Sequence, residues 1–118
     1  MSAMVKIERV RITGEEPFAL EICYLPGDEF ADLADAALVR GSLFLTLEND
    51  FGVELAYADE EVDATVAEGR VAQLLNLRAG APLLRIRQVI YSSKTKPVIY
   101  VIGFYRSERH SLFIRRLR

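Results

Sequence analysis

Two long β-rich runs joined by one short polar turn limit this chain's fold more than any other feature. Pro82-Leu-Leu-Arg-Ile-Arg-Gln-Val-Ile-Tyr91 leads through Ser92-Ser-Lys-Thr-Lys96 into Pro97-Val-Ile-Tyr-Val-Ile-Gly-Phe-Tyr-Arg106. β-Branched and aromatic residues fill both runs, and five polar residues between them are enough for a hairpin but not for a parallel crossover. A shorter run, Arg109-His110-Ser-Leu-Phe113, follows and is predicted to close an antiparallel meander as a third strand.

A chain of 118 residues, 51% of them hydrophobic, is one domain that can bury a core. No apolar stretch approaches the ~18 residues of a bilayer span. Met1-Ser-Ala-Met-Val-Lys-Ile-Glu contains no apolar segment of signal-peptide length. A single cysteine, Cys23, excludes an intrachain disulfide and points to a reducing, cytoplasmic setting. With one histidine and no tryptophan, most metal and histidine-based triad chemistry is excluded, and no cofactor is expected.

The net charge of −2 hides a division between the two halves of the chain. Residues 1–68 carry sixteen acids against four bases, and residues 69–118 carry eleven bases against one acid, Glu108. Such a split can mark a nucleic-acid surface. Here the bases are spread along predicted strands, so the expectation is that the halves interleave in one sheet and compensate each other.

Upstream, residues 5–12 read as a strand, turned by Thr13-Gly-Glu-Glu16 into a second at residues 18–25. Asp28 is predicted to cap a short helical stretch through Asp32 and Ala36. Gly41-Ser42 precedes Leu43, Phe44 and Leu47, spaced for one face of a helix that Gly52 closes. Residues 54–64 read as a strand, and Thr65-Val-Ala-Glu68 as a capping box opening a helix that buries Val71, Leu74 and Leu75. The predicted order, ββ-α-α-β-α-βββ, is an α+β domain with short helices packed on a mixed but mainly antiparallel sheet.

Arg9 and Arg11 are two apart in a strand and project on the same side as Val5 and Ile7. Two parallel guanidinium forks suit bidentate capture of phosphate or carboxylate, or else pairing with an acid such as Glu21 on the neighbouring strand. Ser42 falls at the N-cap of its helix, where free amides favour an anion and where a hydroxyl also serves simple capping. Glu21, inside the apolar run Phe-Ala-Leu-Glu-Ile-Cys, needs an arginine or a ligand donor. Tyr105 shares a strand face with Ile99 and Val101 and needs a partner for its hydroxyl.

Weaker candidates have structural explanations. Arg85 and Arg87 read as solvent-facing or cross-strand partners, and Asp59-Glu-Glu-Val-Asp63 lacks calcium-loop spacing. His110 has no companion ligand for zinc, and Cys23 reads as a small core residue.

In sequence order, Glu16-Pro-Phe-Ala-Leu-Glu21, Tyr24-Leu-Pro26, Gly41-Ser-Leu-Phe44, Gly52, Ala72 with Leu75, Gly80-x-Pro82-x-Leu84 and Phe104-Tyr-Arg-Ser-Glu-Arg-His110 resemble the UTRA effector-binding domain of GntR-type regulators of the HutC subfamily. The resemblance covers nearly the whole chain. It implies a chorismate-lyase-like fold, a homodimer and a small anionic effector: a phosphorylated, phosphonate or carboxylate metabolite. It implies that Arg9, Arg11 and Ser42 hold the anionic group while Glu21 and Tyr105 line the cavity. Amino-sugar-sensing members have an acid where this chain has Ile99, which accepts no hydrogen bond from a sugar hydroxyl and so argues against a hexosamine phosphate.

Full-length members also carry an N-terminal winged helix-turn-helix. Nothing before Val5 is long enough to form one. Residues 1–118 are therefore expected to be the sensor alone, with DNA contacted only through a module outside them and no role for a membrane. Two other functions compete with a sensor: a small lyase of the chorismate-lyase type with Glu21 as acid or base, and a purely structural dimerisation module.

Overall fold

The computed structural model describes residues 4–30 and 43–117. They form one five-stranded sheet with short helices on both faces. Strands β1 (Met4–Thr13) and β2 (Glu16–Pro26) make a hairpin, followed by helices α1 (Gly27–Phe30) and α2 (Leu43–Asp50). Then come β3 (Leu55–Val66), α3 (Gly69–Leu74), and the second hairpin, β4 (Pro82–Ser92) with β5 (Pro97–Arg106). The strand order is β1-β2-β5-β4-β3, and every pairing is antiparallel, so the expected mixed sheet is corrected to a purely antiparallel one.

β5 lies at the centre of the sheet with a neighbour on each side. That position explains its nearly unbroken apolar run, because a strand covered on both faces cannot alternate with polar residues. It also corrects the expected third strand of the meander. Both flanks of β5 are occupied by β2 and β4, so the chain leaving Arg106 finds no adjacent edge. Residues 107–109 turn instead, and residues 110–117 adopt no regular structure.

On one face, Phe30 of α1 with Leu43 and Leu47 of α2 pack against Val5, Cys23, Leu25, Ile90 and Val101. In α2 the buried positions are Leu43, Thr46 and Leu47, the i, i+3, i+4 stripe of a helix lying on a sheet. As expected, Gly52 closes this helix; at φ +65° it lets the Val53 amide return to the Leu47 carbonyl at 3.1 Å. On the other face, Ala72 and Leu75 from α3 and the residue after it cover Leu20 and Leu83, flanked by Val10, Ile22 and Phe104.

The capping box at Thr65 does not form. Thr65 pairs with Leu83 and Val66 with Pro82, while Ala67 bonds onward to Ala81 and Gly80, so strand pairing claims these residues. The N-cap becomes Glu68, extended at φ −143°, with no side-chain cap bond. Of the stretch predicted near Asp28, α1 is the described part; Asp32 and Ala36 lie outside the described residues.

The divided charge is resolved by interleaving across the sheet. Arg85 Nε and Nη2 donate to the two Asp63 oxygens at 2.9 and 2.7 Å. Arg87 Nη2 donates to Glu61 at 2.5 Å and to Asp63 at 3.0 Å. Arg70 of α3 forks onto Glu8, and Arg109 pairs with Glu16. In each pair the acid comes from the first half of the chain and the base from the second.

A candidate anion corner on the helix-covered face

The ladder registers set the site. Across the sheet run the rows Arg9–Glu21–Gly103–Ile86–Val62 and Arg11–Ala19–Tyr105–Leu84–Ala64. Residues opposite each other share a face, and this is the face that carries α1 and α2. The apolar cluster ends along it at Ile7 and Cys23. One pleat further, two small residues, Ala19 and Gly103, leave room for the longer side chains around them.

Those side chains converge on Glu21. Arg11 Nη1 donates to Glu21 Oε1 at 3.0 Å, and Arg9 Nη2 lies 3.8 Å from the same oxygen. Tyr105 donates its hydroxyl to Glu21 Oε2 at 2.9 Å. The Glu21 side chain is 19% exposed, Arg9 25% and Arg11 48%, so the carboxylate is at the base and the guanidinium groups reach outward. Burial, reinforced by the adjacent Glu21 carboxylate, holds the Tyr105 hydroxyl well above its ordinary range and so protonated as a donor.

Four of the five expected site residues, Arg9, Arg11, Glu21 and Tyr105, thus meet in one place. Ser42 lies outside the described residues, and α2 begins directly after it. Arg85 and Arg87 project from the opposite face and are cross-strand partners, as the sequence allowed. Of the acids of residues 59–63, Glu61 and Asp63 are those partners and Glu60 accepts from Gln88 Nε2 at 3.1 Å, and the described residues contain no group of three or more potential metal ligands. An open groove of ≈ 380 Å³ by Asp59, Glu60, Glu61, Arg87, Gln88, Val89 and Tyr100 lies apart from the corner. Three acids, Asp59, Glu60 and Glu61, face one arginine there, a formal charge that makes it the poorer anion site.

Two contributors escaped the sequence reading. His110 stacks on Tyr105, ring centroids 4.4 Å apart and planes at 26°, and so helps fix that ring. Gly103 makes room for it: a Cβ there would lie 2.6 Å from Tyr105 Cε2 and 2.9 Å from its hydroxyl. A lone glycine within a β-rich run is the available signal for such a close approach. Gly103→Ala is expected to push Tyr105 off Glu21 and to destabilise the fold by about 1–3 kcal/mol. A lower denaturation midpoint together with a changed tyrosine fluorescence would register both effects; an unchanged protein would show that the ring has other room.

Cys23, two residues along from Glu21, is buried in the adjoining core. Burial pushes its thiol up to about 11 from 9.0. The folded state therefore holds this proton more tightly than the unfolded chain. The thiol's contribution is present in full below about pH 9 and is lost as pH rises toward 11. At pH 8 the native protein should react with a thiol reagent at least ~100-fold more slowly than the denatured chain, and equal rates would place the side chain at the surface.

Comparison with known proteins bears on the family and the fold. The family model for the UTRA domain matches residues 2–111. The chain is 31% identical over 109 residues to the HTH-type transcriptional regulator Rv0792c of Mycobacterium tuberculosis (strain ATCC 25618 / H37Rv), covering 90% of this chain and 40% of that protein. It is 24% identical over 110 residues to the HTH-type transcriptional repressor NagR of Bacillus subtilis (strain 168), covering 93% of this chain and 45% of that one. The chain thus spans less than half the length of either relative. Among solved structures, the effector domain of PhnF from Mycobacterium smegmatis superposes with a TM-score of 0.87 at 21% identity, covering 97% of this chain and 70% of that one, which shows a shared fold.

Proposed function

The chain belongs to the UTRA domain family, the effector-binding domains of GntR-type transcription regulators rather than enzymes, and from that premise we propose that Arg9, Arg11, Glu21 and Tyr105 receive a small anionic effector. The observation that carries this reading is the convergence of two guanidinium groups on the single carboxylate of Glu21. Within this group two arginines face one glutamate, so its formal charge favours an anion. A phosphate, phosphonate or carboxylate would take the outer guanidinium N–H groups, while Glu21 accepts from a hydroxyl or amide elsewhere on the ligand. Ser42, just before α2, is the proposed donor on the opposite wall. Ile99 is 2% exposed within the core and offers no acceptor, which favours effectors other than amino sugars.

In this reading the domain forms a homodimer in the cytoplasm and acts with an attached N-terminal winged helix-turn-helix that contacts DNA. Effector binding shifts the dimer between two arrangements because its affinity for them differs. The relatives give the lyase alternative no support.

Calorimetry with phosphate monoesters, phosphonates and carboxylates tests the reading. Anionic members should bind and their uncharged isosteres should not. Binding of neutral or cationic compounds alone would refute it.

A further inference from the structure

We propose that His110 is a positioning residue of the anion corner, holding the Tyr105 hydroxyl on Glu21 and thereby setting how tightly the corner takes an anion, an assignment that rests on the reading of the corner above. The Tyr105 ring is confined at two places. Gly103 meets its hydroxyl end, where an added Cβ would stand 2.6 Å from Cε2, 2.9 Å from the oxygen and 3.0 Å from Cζ. His110 meets the flat of the ring, with centroids 4.4 Å apart and planes 26° from parallel. Stacked aromatic pairs contribute beyond the area they bury, so the tyrosine cannot swing aside without losing that contact.

The imidazole is half-buried and is delivered by a turn that is itself tied down. The Arg109 amide donates to the Arg106 carbonyl at 3.0 Å. The Arg106 side chain, 12% exposed, donates through Nε to Glu108 at 2.8 Å and through Nη1 to the Pro17 carbonyl at 3.2 Å. Arg109 pairs with Glu16. Residues 106–109 are thus moored to the beginning of β2, the strand that carries Glu21, and His110 follows directly. A turn fixed to that strand presents its next ring at a fixed place over Tyr105.

The place of the hydroxyl matters because Glu21 has two oxygens. Tyr105 donates to Oε2, while Arg9 and Arg11 both face Oε1. Burial, and after it the neighbouring carboxylate, keeps the hydroxyl protonated and so able to donate. Were the ring to leave, Oε2 would be open to a guanidinium group. A carboxylate that engages an arginine fork through both oxygens makes the strong bidentate pair that an incoming phosphate or carboxylate would have to break. By keeping Tyr105 on Oε2, His110 limits this internal competitor from outside the charged group. Neither a carboxylate nor a guanidinium is needed at position 110 for this; a flat ring suffices.

The experiment titrates inorganic phosphate, methylphosphonate and acetate into the whole chain with its tyrosine rings labelled for NMR, which reads affinity and the surroundings of Tyr105 together. His110→Ala should raise the dissociation constant roughly 3–10-fold, the effect of one lost stack, and should displace the Tyr105 ring signal. His110→Phe keeps a flat ring, so it should bring the affinity back to within about twofold of the original and return the signal toward its place. In Tyr105→Phe there is no hydroxyl to position, and adding His110→Ala there should cost no further affinity. Equal losses from His110→Ala in the two backgrounds, or a His110→Phe variant that fails to recover, overturn this assignment and leave the corner reading intact. An original chain that binds none of the three anions overturns both.

Discussion

Replacing Arg9 and Arg11 together by alanine is expected to weaken binding of the best anionic ligand by at least ~100-fold. Hydrogen bonds from charged donors contribute about 1.5–3 kcal/mol each. Losing one from each arginine therefore costs about 3–6 kcal/mol, or roughly 10²–10⁴ in dissociation constant. Arg85→Ala is the control. It also removes a guanidinium from the sheet, but from the other face, where Arg85 serves Asp63, and it should leave affinity unchanged. Titration calorimetry on the three proteins separates a local requirement from a general effect of positive charge. Equal losses in the control and the double variant would move the ligand elsewhere, and no loss in either would remove the corner from consideration.

The largest loss of stability is expected for Leu47→Ala. Leu47 is fully buried, and it belongs to the stripe with which α2 grips the sheet. Its carbonyl also receives the Phe51 and Val53 amides where the helix ends. Truncation leaves a cavity among Leu25, Phe30 and Leu43 and costs about 2–5 kcal/mol. For a domain of this size that is a fall of roughly 8–20 °C in Tm. Because α2 begins next to Ser42, the same variant should loosen the proposed opposite wall and weaken ligand binding even where the protein remains folded. Differential scanning calorimetry with and without ligand measures the two effects separately. A Tm within about a degree of the original would mean that α2 contributes little to the fold.

The second hairpin was legible because its turn is short and its strands are rich in β-branched residues, properties that act locally. The same applies to α2, where Gly52 marks the end and Leu43 and Leu47 mark the buried stripe. The closing strand at residues 109–113 and the capping box at Thr65 failed for a common reason. Local patterns state what a segment prefers but not which edges and partners the finished sheet leaves available. Arg9, Arg11, Glu21 and Tyr105 could be selected one by one, as charged or polar groups in line with apolar faces. Their convergence required the register Arg9↔Glu21 within the first hairpin and the register Glu21↔Gly103, which joins segments 82 residues apart in the sequence. The His110–Tyr105 stack had no warning in the sequence, since the chain's turn after Arg106 decides where that ring falls.

The position of β5 also governs how the protein comes into being. Of the five strands, β5 leaves the ribosome after the others and must insert between β2 and β4. Until then the two outer pairs, β1 with β2 and β3 with β4, are separate ribbons with nothing to join them. Vectorial synthesis should therefore leave this sheet with little protected structure until Arg106 has emerged, followed by slow, cooperative consolidation typical of distant strand pairing.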